Sequence, residues 1–129
     1  MIPQSRTMII LAGFAAVLLA ATPWRTPAAR AGMPYDGAWS VLIVTDVGTC
    51  DPAYRYALRI VNGRITYPDQ SFSVSGNVDA HGHVNVSVSN GQQHANGTGE
   101  LAGDQGTGMW SGRSPTSLCS GHWQAERRG

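Results

Sequence analysis

The stretch YRYALRIVNGRITY, Tyr54 to Tyr67, constrains the fold more than any other part of the chain. Tyr54, Tyr56, Leu58 and Ile60 fall on one side of an extended backbone, and Arg55, Ala57 and Arg59 fall on the other. This two-residue period marks a strand with one buried face. Asn62-Gly63 follows directly, and such a pair between extended runs is the strongest short hairpin signal. The same grammar recurs along the chain. WSVLIVT (Trp39 to Thr45) is β-branched and nearly all apolar, so both of its faces are expected to be covered. FSVSGNV (Phe72 to Val78) turns through DAHG into HVNVSVS, where Val84, Val86 and Val88 alternate with Asn85, Ser87 and Ser89. A further hairpin turns at Asn90-Gly91, and HANGTGELAG, TGMWSG and CSGHWQAE follow between turns rich in glycine and serine. No stretch after the first strand carries an amphipathic helical period. The expectation is an all-β domain of about eight short strands in an antiparallel meander.

Such a meander either closes into a small up-and-down, calycin-like barrel or folds over as a two-sheet sandwich. The cysteines favour the barrel. Cys50 lies just past the end of the first strand and Cys119 begins the last. In a closed meander these two places are adjacent, so a Cys50–Cys119 disulfide would fasten the seam and protect both edges. A metal site or reactive thiol would need a histidine or base beside each cysteine, and neither has a CxxC-type neighbour.

A disulfide requires an oxidising compartment, and the first residues supply a route to one. Arg6 precedes the uninterrupted apolar run Met8 to Ala21, which has the length of a signal-peptide core and is short for a membrane span. The small-x-small triplet Ala29-Arg30-Ala31 places cleavage before Gly32, with an earlier cut near Ala21 as the alternative. Residues 1–31 are thus expected to be a signal peptide and 32–129 a single domain. The protein would be exported, periplasmic or extracellular, with no stable membrane span after cleavage. Of nine basic residues, Arg6, Arg25 and Arg30 would leave with the leader, and six arginines against eight acids give a net charge of −2. That balance argues against nucleic acid as a partner, because phosphate binding needs a clustered positive surface.

Three Gly-x-Trp triplets, Gly37 to Trp39, Gly108 to Trp110 and Gly121 to Trp123, put an indole beside a gap on the same face of a strand. In a barrel the gap can receive an aromatic ring from the neighbouring strand, and the glycine permits tight coiling. The structural reading has Trp39 and Trp123 as neighbours across the seam, Trp110 one strand further, and all three packed together as core. The functional reading makes the same three a platform for an apolar ligand, since an eight-stranded barrel can hold one small molecule. The first triplet also resembles the lipocalin opening motif, and that resemblance ends with the triplet.

YDGAWSVLIVTDVGTCDPAYRYALRIVNGRITY (Tyr35 to Tyr67), together with GTGMWSG and CSGHWQAERR, resembles a group of small exported proteins of rhizobial-type alphaproteobacteria. Some members are labelled haem-utilisation or adhesion exoproteins. The resemblance implies export and a barrel-like fold. If its haem label holds, His81, His83, His94 and His122 are the candidate axial ligands, with Met109. His81 and His83 could also share a metal from one strand, but they straddle the glycine of a turn, which favours exposed turn residues. His122 alternates with Trp123 and should face away from the tryptophans.

The acids are mostly turn formers, as in Asp36-Gly37 and Asp51-Pro52. The chain has no G-x-S-x-G elbow, no H-E-x-x-H and no phosphate loop, so no motif calls for an enzyme. The expected function is a secreted or periplasmic, non-catalytic binding module for a small apolar ligand or an envelope or extracellular protein. The alternatives are haem binding and a small barrel-type proteinase inhibitor that inserts a flexible trunk, Gly32 to Tyr35.

Overall fold

The computed structural model describes residues 33–129; the expected signal peptide, 1–31, lies outside them. Eight antiparallel strands follow one another around a single closed barrel: β1 (Gly37–Val47), β2 (Ala53–Val61), β3 (Arg64–Thr66), β4 (Ser73–Val78), β5 (His83–Ser89), β6 (His94–Ala102), β7 (Gln105–Arg113) and β8 (Leu118–Arg127). β1 pairs with β8 from Trp39↔Arg127 to Val47↔Ser120, so the barrel, and not the two-sheet sandwich, is the fold. No helix among the described residues is long and apolar enough to cross a membrane.

Local chemistry sets the turns. Asn62 and Gly63 have φ of 54° and 73°, the left-handed pair that a two-residue hairpin demands. The Asp36 carboxylate accepts the N–H of each, at 2.7 and 2.9 Å, which fixes the turn against the entry to β1. At the opposite end, Cys50 and Cys119 form the expected disulfide, with Cα atoms 6.2 Å apart. Joining residues 69 apart in sequence removes denatured-chain entropy worth roughly 4 kcal/mol in the loop-closure model.

The strand period distributes apolar side chains to the barrel interior, but not evenly along its axis. One end carries the start of β1, the end of β8 and the hairpins β2–β3, β4–β5 and β6–β7. Here Trp39, Val41, Ile60, Ile65, Val84 and Leu101 are buried, with Trp39 only 2 % exposed. Arg127, which shares the inward face of Trp123 and Ala125, closes this end. Its guanidinium lies 4.9 Å from the centre of the Trp39 ring and donates to Asp104 Oδ1 at 2.9 Å, the Asp36 carbonyl at 2.8 Å and the Pro34 carbonyl at 3.0 Å.

The other end carries the loops 48–52, 67–72, 90–93 and 114–117. Its inward-facing apolar side chains, among them Ile43, Val74, Val86 and Trp110, are only partly buried. We refer to the two as the closed end and the open end.

Candidate functional site

The three tryptophans occupy three levels of the barrel. Trp39 pairs in register with Arg127 at the closed end, and Trp123 pairs with Ile43 nearer the middle. Trp39 and Trp123 therefore lie on adjacent strands, four residues apart along β1. Trp123 also pairs with Gly108, while Trp110 pairs with Gly121. This is a reciprocal exchange: the glycine of each triplet receives the indole of the other. A Cβ at Gly108 would strike Trp123 Nε1 and the Thr98 carbonyl, and one at Gly121 would strike the Val44 carbonyl and crowd Trp110 Nε1. Both indoles are satisfied, Trp123 by the Thr98 carbonyl at 3.2 Å and Trp110 by the Val44 carbonyl at 2.9 Å. Gly37 differs, since a side chain there would meet the Gly129 carbonyl and the stem of Arg127 instead of a ring. Trp39 and Trp123 are core, and only Trp110 retains an exposed part that a ligand could reach.

A second aromatic group, on the β2–β4 side of the open end, is more accessible. Tyr54 and Tyr56 have ring centres 5.0 Å apart. Tyr56 meets the edge of Tyr67 at 5.9 Å and of Phe72 at 6.5 Å, and Tyr67 lies 6.5 Å from Phe72. Tyr54 is 53 % exposed and the other three are half-buried. Burial, with the neighbouring phenols of Tyr54 and Tyr67 and the carboxylate of Asp51, pushes the Tyr56 phenol above its ordinary pKa. It is therefore a neutral hydroxyl at any physiological pH. Sequence reasoning placed Tyr54 and Tyr56 on a buried strand face and Phe72 on another. Tyr67 belongs to neither run, and only the closed topology shows that all four rings meet. The signal was present in parity: Tyr67 continues the inward face of Ile65, as Phe72 begins that of Val74.

On the outer face of the barrel, near the open rim, a groove of about 750 Å³ runs across the strands between the outward side chains of Ser75, Ser87, Asn96, Ser111 and Ser120, with the backbone of Val88, Ala95 and Gly112 as its floor. Short outward side chains leave this space, because Ser75, Ser87, Asn96, Ser111 and Ser120 follow one another in register across five strands. Val47 and Leu118 stand on its rim, 62 % and 76 % exposed. A smaller depression of about 280 Å³ adjoins it on the same outer face, across β4, β5 and β6, and includes the short, uncharged side chains Asn77, Asn85, Ser87, Asn96 and Thr98.

The histidines stand apart. His81 and His83 belong to the β4–β5 hairpin at the closed end, with ring centres 6.2 Å apart. Asp79 Oδ1 accepts the backbone N–H of both at 2.9 Å, and its Oδ2 accepts His83 Nδ1–H at 3.1 Å. The His83 and His81 backbone N–H groups, with the His83 ring, hold the Asp79 carboxyl below its usual pKa. His94 opens β6 at the open rim and is exposed. His122 faces outward, as its alternation with Trp123 implied, and its Nδ1–H donates to Asp46 Oδ2 at 2.7 Å. Met109 is its cross-strand partner on the outer surface. His122 makes no hydrogen bond to a hydroxyl. Among the described residues no three His, Cys, Asp or Glu side chains converge on a point that could hold a metal ion.

No protein-family model, no curated protein and no solved structure matches the chain.

Proposed function

We propose that this chain is an exported, non-catalytic binding module that takes a small apolar ligand, or an apolar segment of an envelope or extracellular protein, at the open end of its barrel. One observation carries the reading: the closed end is filled and sealed, whereas the open end leaves the Tyr54, Tyr56, Tyr67 and Phe72 rings and the inward side chains of Ile43, Val74, Val86 and Trp110 without full cover. Concave, mostly apolar sites with a few polar groups are the usual form of small-molecule sites. Here the polar groups are the Tyr54, Tyr56 and Tyr67 hydroxyls. The disulfide at the same end supports export, since such bonds persist in oxidising compartments.

The alternatives fit less well. In the inhibitor reading the segment Gly32 to Tyr35 is a free trunk, but the Pro34 carbonyl accepts from Arg127 and the Tyr35 carbonyl accepts Trp39 Nε1–H at 2.9 Å. Those bonds tie it to the closed end. Inside the open end haem would find no histidine, because His94 and His122 occupy outward-facing positions of β6 and β8 and His81 and His83 belong to the closed-end hairpin.

Native mass spectrometry of the protein isolated from the cells that make it, followed by denaturation of the same sample, tests the proposal. An adduct that survives native conditions and leaves on denaturation supports it, and Tyr56→Ala should weaken that adduct. A bare chain from every fraction, with no partner captured, contradicts it.

A further inference from the structure

The barrel wall is incomplete between β2 and β4. β3 pairs with β2 only over Arg59↔Thr66, Ile60↔Ile65 and Val61↔Arg64, and with β4 only at Arg64↔Asn77. Pro68 explains the stop. Two residues past Thr66, it falls where β3 would next donate to β2, and proline has no N–H to give. The chain leaves the wall there and rejoins it at Ser73.

The direction of the exposed backbone groups follows from the register. Thr45 N–H donates to the Pro52 carbonyl at 2.9 Å, so Pro52, Tyr54, Tyr56 and Leu58 turn their backbone groups to β1. Arg55 and Ala57 then turn theirs away from β1, beyond the last β3 pair, where no hydrogen bond meets them. On the opposite side, Val78 N–H donates to the Gly63 carbonyl at 2.7 Å, so Val74 faces the same opening with no partner. An unpaired edge is a template for another strand.

The side chains around this edge are of two kinds. The inward face behind it is the Tyr56, Tyr67 and Phe72 group. The outward face carries Arg55, Arg59 and Arg64, half of the six arginines among the described residues. Arg55 reaches only the Ser40 hydroxyl, at 2.9 Å, and none of the three forms an ion pair. The acids close to the opening are Asp51 and Asp69, both in loops, and the Asp69 carboxylate is occupied by the Ser71 N–H at 2.9 Å. A barrel whose described part is acidic overall thus presents an unneutralised basic strip along the free edge of β2.

We infer that the β2 edge between Ala53 and Leu58 is a docking site for an extended, acidic segment of another protein, which adds as a strand antiparallel to β2 in the row that β3 vacates. Paired residues share a face, so the guest residue opposite Arg55 points outward and is acidic, while the guest residue opposite Tyr56 points inward and is apolar. Backbone bonds to Arg55 and Ala57 supply affinity, and this alternation supplies selectivity. The site is separate from the mouth of the barrel and does not depend on a small ligand there.

The test uses a short acetylated peptide alternating glutamate and valine, titrated by fluorescence anisotropy against the disulfide-bonded protein at low salt. The control has the same composition with all glutamates first. Saturable binding of the alternating peptide is expected, weakening as salt rises. Ala57→Pro, which removes the edge donor at a position where proline is tolerated, should weaken it roughly tenfold or more. The Arg59→Glu, Arg64→Glu double variant should do the same without touching the edge or the core. In hydrogen exchange, the Arg55 and Ala57 amides should gain protection when the peptide binds. Absence of binding at millimolar peptide, equal binding of the blocked control, or unchanged Arg55 and Ala57 exchange would each overturn the inference. Should Ala57→Pro fail to fold, the arginine variant and the exchange measurement still decide.

Discussion

The two ends of this barrel are built from the same strands by opposite means. At the closed end, side chains reach across the interior and side-chain hydrogen bonds hold the turns: Trp39 beneath Arg127, Asp36 on the Asn62-Gly63 turn, Leu101 beside Gly106. At the open end a covalent bond replaces packing. The disulfide secures β1 to β8 where Val47 and Leu118 are exposed and where the β1–β8 register shifts between Thr45 and Val47. A barrel that is locked at one end can leave the other under-filled and still stay folded. The spare surface is then free for recognition.

Truncations should therefore be unequal. Trp123→Ala empties the bed formed by Gly99 and Gly108 and should cost about 3 to 5 kcal/mol in urea unfolding, whereas Tyr54→Ala should stay within about 0.5 kcal/mol. Equal losses would erase the distinction between the ends. Replacing Cys50 and Cys119 together by serine should cost roughly 2 to 4 kcal/mol, and the near-ultraviolet circular dichroism of the buried indoles should persist below the transition. Loss of that signal under native conditions would mean that the closed end cannot stand without the bridge. Asp36→Ala removes the acceptor of two turn N–H groups and should cost about 1 to 2 kcal/mol, read from the same urea transitions.

The smallest effect is on pH dependence. The Asp79 pKa is lowered in the folded chain, so its contribution is present above the ordinary carboxylate range and is lost as pH falls through the folded value. Asp79→Asn should flatten the acid side of the stability profile. Tyr56 has the opposite sign: its raised pKa means that stability declines as pH rises through the phenol range, and Tyr56→Phe should remove that decline.

Much of the fold was legible in the sequence, the contrast between its ends was not, and both facts have physical reasons. Alternation and Asn-Gly turns are local signals, so the strands, the hairpins and the seam disulfide followed from short stretches and one closure argument. Gly-x-Trp announced a gap for a ring, and Gly108 and Gly121 each accept one. The vertical spacing of the three indoles did not follow, because it depends on the stagger between β8 and its neighbours, which no local pattern states. No local pattern singled out Arg127: its parity with Trp123 turns it inward, but the Asp104, Asp36 and Pro34 oxygens that receive it come from distant parts of the chain. The aromatic group at the open end and the early stop of β3 were missed for a related reason. Pro68 is a local signal, but its consequence, a free edge on β2, exists only once the neighbours are known.

Amide hydrogen exchange on the disulfide-bonded protein tests the central claim of two unequal ends most directly. The account predicts that the amides of Arg55, Ala57 and Val74 exchange rapidly, while those of Val41, Val84 and Ala125 exchange only through global unfolding. Uniformly slow exchange around the whole barrel would show a completed wall and contradict it.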